Sequence, residues 1–555
     1  MLPQAPPRAH LAAYAACVAA AVSVSHAVNR IVPEPYMDEI FHVPQAQAYC
    51  RGDWRYWDPA LTTPPGLYLL PAFFAQLQRA LAPLLPRVLG PGAANPCSVA
   101  NLRRTNLALA CALPPLYARL VRLVTTAAPP TSREQAPVAA NGAEAADNPT
   151  RAWEPLVVAL FPLLGWWAWL YYTDLPAVVS VLLCWTCALE RRWVASALLG
   201  AASLLFRQTN IVWVLFVAAQ AALREVSRAG AADRVRDPLL VDAQPSDLLR
   251  TPLSLARAAL SHPRALVPVI AAYAPVFAAA GAFVQWNGGI VLGDKSNHAP
   301  TVHVPQVYYL VASTAAFFAP HVLGVSGAAR ALGGSATRFL CSGAVLLGMC
   351  WTIKHHTIAH PFLLSDNRHY AFYLWRRLLN VTPWARYALS PAYLASASLL
   401  FLSLAQARTM RLSTLVLLCG ASTAVLVPTP LLEPRYFLVP LVVSRAYLVP
   451  VAAGAGAGAN VGEARAEGSS VPHKRNHAAL RRRRARLSSS PSLSASRRRT
   501  RLLLLEAALY LSIHALTLYL FLWRPFRWEI PLGADGRGLD GRDEREVGRW
   551  QRFMW

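Results

Sequence analysis

The chain has 555 residues, of which 55% are hydrophobic and only 15% are charged, and its formal net charge is +25. Soluble proteins rarely contain so few charged residues, and apolar stretches of about 20 residues recur from end to end. The composition therefore excludes an ordinary soluble domain and indicates a helical protein that crosses a membrane many times. The basic charge does not indicate a nucleic-acid partner, because one low-complexity segment, 453–501, supplies +10 of it with twelve Lys or Arg and two Glu.

Thirteen apolar segments are predicted to cross the membrane, the first of them as a retained span rather than a cleaved signal peptide. They lie near 11–32, 105–124, 155–173, 174–190, 193–206, 209–223, 265–285, 304–324, 337–353, 388–406, 412–428, 434–452 and 502–523. A further apolar stretch, 64–85, is interrupted by Pro71 and Pro83 and carries Arg79. We expect this stretch to lie as a re-entrant or interfacial helix that does not cross.

The distribution of arginine predicts the side of the membrane that each loop occupies. If 64–85 does not cross, one side receives the arginine-rich loops 125–154, 191–192, 224–264, 325–338, 407–411 and 453–501. Cytoplasmic loops carry the excess of Lys and Arg, so this side is predicted to be cytoplasmic. The opposite, lumenal side collects PYMDEIFH, YYTD, RQTN, GDKSNHAPTVH, HPFLLSDNRHYAFYLWRR and LLEPRYF. Polar groups at span ends are typical of an enzyme at a membrane surface, whereas a transporter more often buries them at mid-membrane.

Adjacent carboxylates and a histidine follow the first span, in the segment PEPYMDEIFHVPQAQAYC. Asp38, Glu39 and His42 lie at a membrane boundary, where ionisable groups are costly and therefore indicate a functional site. The alternative is an acidic first turn of a helix, which Asp and Glu favour. Asp38 and His42 are four residues apart and could share a metal ion, but no HExxH or repeated Asp motif accompanies them, so no metal is predicted.

An enzyme that uses a lipid-linked phosphosugar needs a carboxylate to deprotonate an acceptor hydroxyl and cations to stabilise the departing phosphate. Asp38 or Glu39 is the predicted base. The predicted substrate-binding residues on the same face are the cations Lys295, His298, His360, Arg368, His369 and Arg435, together with His42, Asp174, Arg207, Asp366 and Glu433. Alternatively, Arg368 and Arg435 snorkel from helix ends, and the histidines lie on a loop surface.

The nine cysteines give no disulfide or metal framework, because seven of them lie within apolar spans. Only Cys50 and Cys97 lie outside the spans. They are therefore the one pair for which a disulfide is considered.

Taken in order, the polar segments resemble those of a known family. PYMDEIFHVPQAQAYC with WDPALTTPPGLYL, then YYTD, FRQTNIVW, GDKSNHAPTVHVPQVYY, HPFLLSDNRHYAFYLWRR, LLEPRYF and a terminal RFMW are similar to the dolichyl-phosphate-glucose-dependent α-1,2-glucosyltransferases. The match spans nearly the whole chain, and the inserts 125–152 and 453–501 are the main departures.

The resemblance implies an all-α, polytopic membrane enzyme of the endoplasmic reticulum with the GT-C architecture, about 13 or 14 membrane helices, and an active site formed by lumenal loops. It implies transfer of glucose from dolichyl β-glucosyl phosphate to the diglucosylated high-mannose oligosaccharide on dolichyl diphosphate. The terminal α-1,2 linkage then forms with inversion, without a metal or other cofactor. In GT-C enzymes the base is typically an acid of the first lumenal loop, here Asp38 or Glu39, and we expect Asp38.

Three parts make up the predicted domain organisation. Residues 1–452 form the membrane core, with a first lumenal loop at 33–63 and a cytoplasmic insert at 125–152; 453–501 form a disordered basic cytoplasmic linker; 502–555 form the last membrane helix and a lumenal tail. The expected partners are the lipid-linked donor and acceptor and membrane lipid, with no nucleic acid. Without the resemblance, another dolichyl-phosphate-sugar transferase, a lipid or sugar transporter, and a membrane scaffold stay open.

Overall fold

A computed structural model describes residues 8–84, 95–126, 149–229, 235–293, 295, 299–323, 336–448, 491–527 and 550–555. These residues are arranged as helices joined by loops, and their only β-type pairings are three isolated bridges. The predicted all-α fold is confirmed.

The helices of the first half of the chain build most of the bundle. They are α1 (Arg8–Ile31), α2 (Glu39–Arg51), α3 (Gly66–Leu81), α4 (Val99–Thr126), α5 (Pro149–Ala159), α6 (Pro162–Trp166), α7 (Asp174–Leu189), α8 (Trp193–Leu204), α9 (Asn210–Arg228), α10 (Asp247–Ser261) and α11 (Pro263–Asn287).

The second half adds further long helices and several short ones. They are α12 (Pro305–Phe317), α13 (Ala319–Leu323), α14 (Ala336–His356), α15 (Pro361–Ser365), α16 (Tyr370–Leu374), a π-helix (Trp375–Leu379), α17 (Ala385–Ala388), α18 (Ser390–Ala407), α19 (Leu412–Leu426), a 3₁₀-helix (Pro434–Phe437), α20 (Leu438–Tyr447) and α21 (Pro491–Trp523).

Six helical segments in the described ranges are long and apolar enough to cross a membrane. They are Ala9–Ile31, Val99–Thr125, Asn210–Arg228, Pro263–Asn287, Ala385–Ala407 and Arg497–Trp523. Three shorter apolar helices, α7, α8 and α19, accompany them. The protein is therefore a multi-pass membrane protein, while the number of thirteen crossings stays a prediction.

The centre of the bundle is α7, whose sequence DLPAVVSVLLCWTCAL is apolar on every side and almost entirely buried. A helix that is apolar all round has no polar face to offer water and is covered by neighbours. Here α4, α8, α9 and α20 pack against it. Asp174, the first residue of this helix, is therefore buried at one end of the bundle.

The prediction of one continuous span at 155–173 is wrong. The helix α5 ends at Ala159, α6 begins at Pro162, and residues 167–173 form turns. Pro162 has no N–H to continue the helix and suits the first helical position instead. Two large side chains of this segment, Trp166 and Trp167, are core residues with 1% exposure.

Helical structure occurs in two segments that the sequence assigned to cytoplasmic loops. The helix α10 occupies 247–261 within the predicted loop 224–264, and α21 begins at Pro491, before the predicted end of the linker at 501. Both segments are rich in arginine, which removes them from a search for apolar runs. Arginine is nevertheless a good helix former, so the two features are compatible.

The described residues between α1 and α4 are themselves folded against the bundle. Their helices α2 and α3 pack on each other, and a disulfide joins Cys50 of α2 to Cys97 before α4. Gly66 begins α3 where a Cβ would lie 2.6 Å from the Leu205 carbonyl oxygen, so only glycine permits this close approach. The 16 residues of α3 span about 24 Å, which is short for the hydrocarbon core and favours the expected interfacial position.

Candidate active site

A cavity of about 2060 Å³ lies where the predicted lumenal segments meet. One part is lined by charged and polar side chains from PYMDEIFH, YYTD, RQTN, HPFLLSDNRHY and LLEPRYF. The other part is lined by apolar side chains of α8, α9 and α11, among them Leu204, Trp213, Phe277, Phe283 and Trp286. The cavity therefore offers a charged end and an apolar end to one ligand.

Asp38 and Arg435 form the ion pair at the charged end. Arg435 Nη1 donates to Asp38 Oδ2 at 2.8 Å, and Arg435 Nε donates to Glu433. Glu433 and Arg435 are neighbours in LLEPRYF, at the turn into α20, while Asp38 caps α2. Burial alone would raise the pKa of the Glu433 carboxyl, but Arg435 lowers it. Arg435 is thus held between two carboxylates.

Asp38 presents one oxygen to Arg435 and the other to the cavity. Its side chain is 38% exposed, and Oδ1 makes no hydrogen bond within the described residues. Burial would raise the pKa of Asp38, but the Arg435 guanidinium outweighs it and holds that pKa at about 2. The preceding residue, Met37, has φ 54°, a left-handed conformation that persists only where the surroundings impose it. The Asp38 N–H donates to Tyr172 Oη at 3.0 Å, which fixes this turn.

Glu39 points away from the cavity into the protein. Its carboxylate is fully buried and receives both Nε and Nη2 of Arg103, at 2.8 and 2.5 Å. The backbone N–H groups of Tyr171 and Tyr36 bond the same two oxygens at 2.6 and 3.0 Å. With both oxygens occupied and no exposed surface, Glu39 is placed to tie α2, α4 and the turn before α7 together. The geometry therefore favours Asp38 over Glu39 as the base.

His42 lies one turn after Asp38 and also lines the cavity. Its Nδ1 is 2.6 Å from Tyr68 Oη on α3. Burial lowers the pKa of His42 to about 4, although the Asp38 carboxylate opposes this shift. The imidazole is therefore neutral at physiological pH and acts as a hydrogen-bonding group rather than a cation.

A second ion pair lies beside the first. Arg207 Nη2 donates to Asp174 Oδ1 at 2.6 Å. The guanidinium carbons of Arg207 and Arg435 lie 5.3 and 5.9 Å from the centre of one ring, that of Tyr436, within cation–π range. Two guanidinium groups therefore share one aromatic neighbour at the charged end of the cavity.

The segment HPFLLSDNRHY contributes a third charged group, which the last residues of the chain hold in place. Asp366 Oδ1 accepts from the backbone N–H and Nε of Arg368, a local turn that Asp favours. Arg368 lowers the pKa of Asp366 against the effect of burial. His369 Nδ1 lies 3.0 Å from the Trp555 carbonyl oxygen, and the Met554 N–H donates to the Arg368 carbonyl.

The predicted site residues divide into those that meet and those that do not. The cavity is lined by Asp38, His42, Asp174, Arg207, Asp366, Arg368, His369, Glu433 and Arg435. Lys295 and His360 are not among its lining residues, since Lys295 Nζ bonds the Asn287 carbonyl and His360 Nδ1 accepts the Phe362 N–H. His298 lies outside the described residues. No group of three potential metal ligands occurs within the described ranges.

Several residues at the site were not assigned a role from the sequence. Tyr436 and Trp555 line the cavity, Tyr172 fixes Asp38, and Arg103 neutralises Glu39. An arginine just before the apolar segment 105–124 was a usable signal for Arg103, because a cation at a span boundary needs a partner. Tyr436 and Trp555 are adjacent to the motifs LLEPRYF and RFMW, but aromatic residues are too common in this chain to single out two.

Comparisons with known proteins agree with the motif resemblance. The sequence model of the DIE2/ALG10 family matches residues 32–446, a range that contains Asp38 and Arg435. The chain is 31% identical to the Dol-P-Glc:Glc(2)Man(9)GlcNAc(2)-PP-Dol alpha-1,2-glucosyltransferase of Arabidopsis thaliana, over 96% of this chain and 97% of the relative. It is 32% and 31% identical to the proteins of that name from Mus musculus and Homo sapiens, each over 76% of this chain and 85% of the relative. No solved structure matches the chain significantly.

Proposed function

The chain belongs to the DIE2/ALG10 family, and from that premise we propose that Asp38 and Arg435 are the reactive centre of its glucosyl transfer. The enzyme is a glycosyltransferase that moves glucose from dolichyl phosphate glucose to the Glc2Man9GlcNAc2 oligosaccharide on dolichyl diphosphate, forming an α-1,2 linkage. One observation carries the proposal. The expected base contacts the expected phosphate-binding cation at 2.8 Å although 397 residues separate them in the sequence.

The two ends of the cavity support the donor assignment. Dolichyl phosphate glucose is amphiphilic, with a sugar phosphate at one end and a long polyprenyl chain at the other. The charged end of the cavity suits the sugar phosphate, and the apolar side chains of α8, α9 and α11 suit the first isoprene units. The donor is therefore expected to bind with its first isoprene units along α8, α9 and α11 and with its phosphate next to Arg435.

Asp38 is the proposed general base. An inverting transfer is a single displacement, in which the acceptor O2–H passes its proton to Asp38 Oδ1 as the oxygen bonds the anomeric carbon. The bond from that carbon to the phosphate oxygen breaks, and its electron pair leaves with dolichyl phosphate. Among the described residues Asp38 Oδ1 has no hydrogen-bond partner, which supports this role, and the four hydrogen bonds to the Glu39 carboxylate argue against the neighbouring acid.

Arg435 is proposed to bind the donor phosphate and to restore the basicity of Asp38. A guanidinium has five N–H donors in a planar fork, and the Asp38 and Glu433 contacts occupy two of them. A phosphate that competes with Asp38 for Arg435 weakens the interaction that lowers the pKa of the base. Charge then accumulates on the leaving phosphate, so the Arg435 contact strengthens in the transition state. Arg207, next to the same tyrosine ring, is the proposed second phosphate contact.

The loop at 366–369 is proposed to bind the acceptor. It lines the cavity, as do Trp57 and Trp555, and Trp555 contacts His369. Aromatic faces with a few fixed polar groups are typical of sites that orient a small ligand. Asp366, Arg368 and His369 can therefore position the outer glucose so that its O2 meets Asp38.

We further propose that the site faces the lumen of the endoplasmic reticulum. The disulfide between Cys50 and Cys97 lies, like Asp38, between α1 and α4. Structural disulfides persist in oxidising compartments such as this lumen. The arginine-rich linker 453–501 is then cytoplasmic, and Trp555, which contacts His369, lies on the lumenal side.

The proposed function is tested with the purified enzyme in detergent. A short-chain dolichyl phosphate glucose and a diglucosylated lipid-linked acceptor should yield a triglucosylated product with an α-1,2 linkage. Dolichyl phosphate mannose and a monoglucosylated acceptor are the matched controls, and both should react at least about tenfold more slowly. Equal or faster transfer of mannose would contradict the proposal and favour a mannosyltransferase of the same architecture.

A further inference from the structure

The helix α10 has two apolar stripes on opposite sides. Thr251, Leu255 and Ala258 are buried against α9 and α19. Leu249, Leu253 and Leu260, together with Ala256, follow the spacing i, i+4, i+7 and i+11, which places them in one row. At about 100° per residue, this row lies directly opposite the buried one.

The outer stripe is strongly exposed. Leu249 is 74%, Leu253 57% and Leu260 81% exposed. A single exposed leucine needs no explanation, but a continuous row of them marks an interaction surface. The inner stripe already provides the contact with the bundle, so the outer stripe serves something outside the described protein.

Arginines border the outer stripe. Arg250 and Arg257 lie seven residues apart on one edge of the helix, and Arg264 follows at the start of α11. All three are exposed, and none makes a side-chain hydrogen bond or an ion pair within the described ranges. Leucines in a row beside arginines are the pattern of a helix that lies in the plane of a membrane surface.

The position of α10 along the chain points to the bilayer as the partner. Only His262 separates α10 from α11, a helix long and apolar enough to cross the membrane. Near this junction, Val267 and Ile270 of α11 are each 58% exposed, as expected of side chains that contact lipid. The lipid that covers them is therefore adjacent to α10. The apolar row of α10 therefore adjoins a surface that lipid covers. A binding site for a soluble partner would not need to lie next to lipid.

We propose that α10 lies on the cytoplasmic surface of the membrane, with Leu249, Leu253 and Leu260 among the lipid acyl chains. Arg250, Arg257 and Arg264 then contact the phosphates of anionic headgroups, which are concentrated in the cytoplasmic leaflet. The long arginine stems lie along the apolar surface while the guanidinium groups reach the headgroups. Because α10 packs on α9 and α11, this contact also fixes the cytoplasmic ends of two helices whose other ends line the cavity.

The proposal is tested with the full-length protein in lipid vesicles. A genetically encoded fluorescent amino acid replaces Leu253, and the matched control replaces Gln244, an exposed residue in the loop before α10. In vesicles with brominated acyl chains, the probe at 253 should be quenched at least about twofold more strongly than the probe at 244. Glucosyl transfer by both variants verifies that they are folded.

The arginine contribution is measured in the same vesicles. Adding phosphatidylserine to phosphatidylcholine should increase the quenching at 253, and the Arg250→Gln, Arg257→Gln double variant should lose that increase. Equal quenching at 253 and 244 would overturn the proposal. So would a blue-shifted but unquenched probe at 253, since that result means that protein, such as a second copy of the chain, covers the stripe.

Discussion

Replacing Arg435 should slow the chemical step more than it weakens the protein. Arg435 is 19% exposed and donates to Asp38 and Glu433, whose side chains are 38% and 13% exposed. Truncating one partner of a desolvated charge pair typically costs about 2–5 kcal/mol, and the partial exposure of Asp38 points to the lower part of that range. A loss of about 2–4 kcal/mol in transition-state stabilisation corresponds to a roughly 30- to 900-fold lower kcat for Arg435→Ala.

The conservative variant Arg435→Lys separates charge from geometry. Lysine keeps the positive charge but offers a point contact instead of a planar fork that can bind two phosphate oxygens. We expect an intermediate loss, on the order of tenfold in kcat. The donor KM should rise in both variants because the ground-state phosphate also contacts the guanidinium, while the acceptor KM should change little.

The assay is a donor titration of the purified variants in detergent, followed by a thermal unfolding measurement. Glu433→Gln is the matched control, because it removes the second partner of Arg435 without touching the proposed phosphate ligand. Wild-type kcat and donor KM in Arg435→Ala would refute the phosphate-binding role of Arg435. A matching loss of unfolding temperature in both variants would then assign Arg435 a structural role only.

Three further predictions concern stability, pH and topology. Glu39→Gln or Arg103→Met should lower the free energy of unfolding by about 3–5 kcal/mol, because each breaks a fully buried ion pair. Thermal or denaturant unfolding measures this loss, and the folded fraction should keep most of its kcat. Normal stability with lost turnover would contradict the prediction. Since the pKa of Asp38 is lowered to about 2, Asp38 is ionised above about pH 4. The kcat/KM for the donor should therefore not fall on the acidic side between about pH 8 and 5 because of this group. A fall centred near pH 6, at a pH that shifts in Glu433→Gln, would contradict this. A cysteine at Arg250 should be labelled from outside sealed microsomes and one at Ser365 protected; the reverse pattern would overturn the predicted orientation.

Hydropathy and arginine distribution predicted the fold class because both report directly on the membrane. Apolar length identifies helices that can cross, and the alternation of sides brings the odd-numbered loops to one face. The interruptions between Ala159 and Asp174 escaped the prediction because an apolar segment looks the same in sequence whether its side chains, such as Trp166 and Leu170, face lipid or the protein core. The helix α10 escaped because its leucines and arginines recur with helical spacing, which a window average conceals.

The convergence of the motifs was predictable, but the roles of individual residues within it were not. Segments on one face of a bundle can meet at one cavity, as Asp38 and Arg435 do. Two adjacent acids at a helix start point about 100° apart, and which of them faces the cavity depends on Arg103, 64 residues away from Glu39. Lys295 and His360 do not line the cavity, because a shared membrane face does not bring every cation of that face to one point.

The measurement that tests the central claim most directly is glucose transfer by Asp38→Asn beside Glu39→Gln. The asparagine keeps the size of the side chain but removes the proton acceptor, so Asp38→Asn should insert and fold normally and lose at least about a hundredfold in kcat. Glu39→Gln should be less stable yet retain most of its turnover when folded. Near-normal transfer by Asp38→Asn, with turnover abolished in a stable Glu39→Gln, would contradict the account and exchange the roles of the two acids.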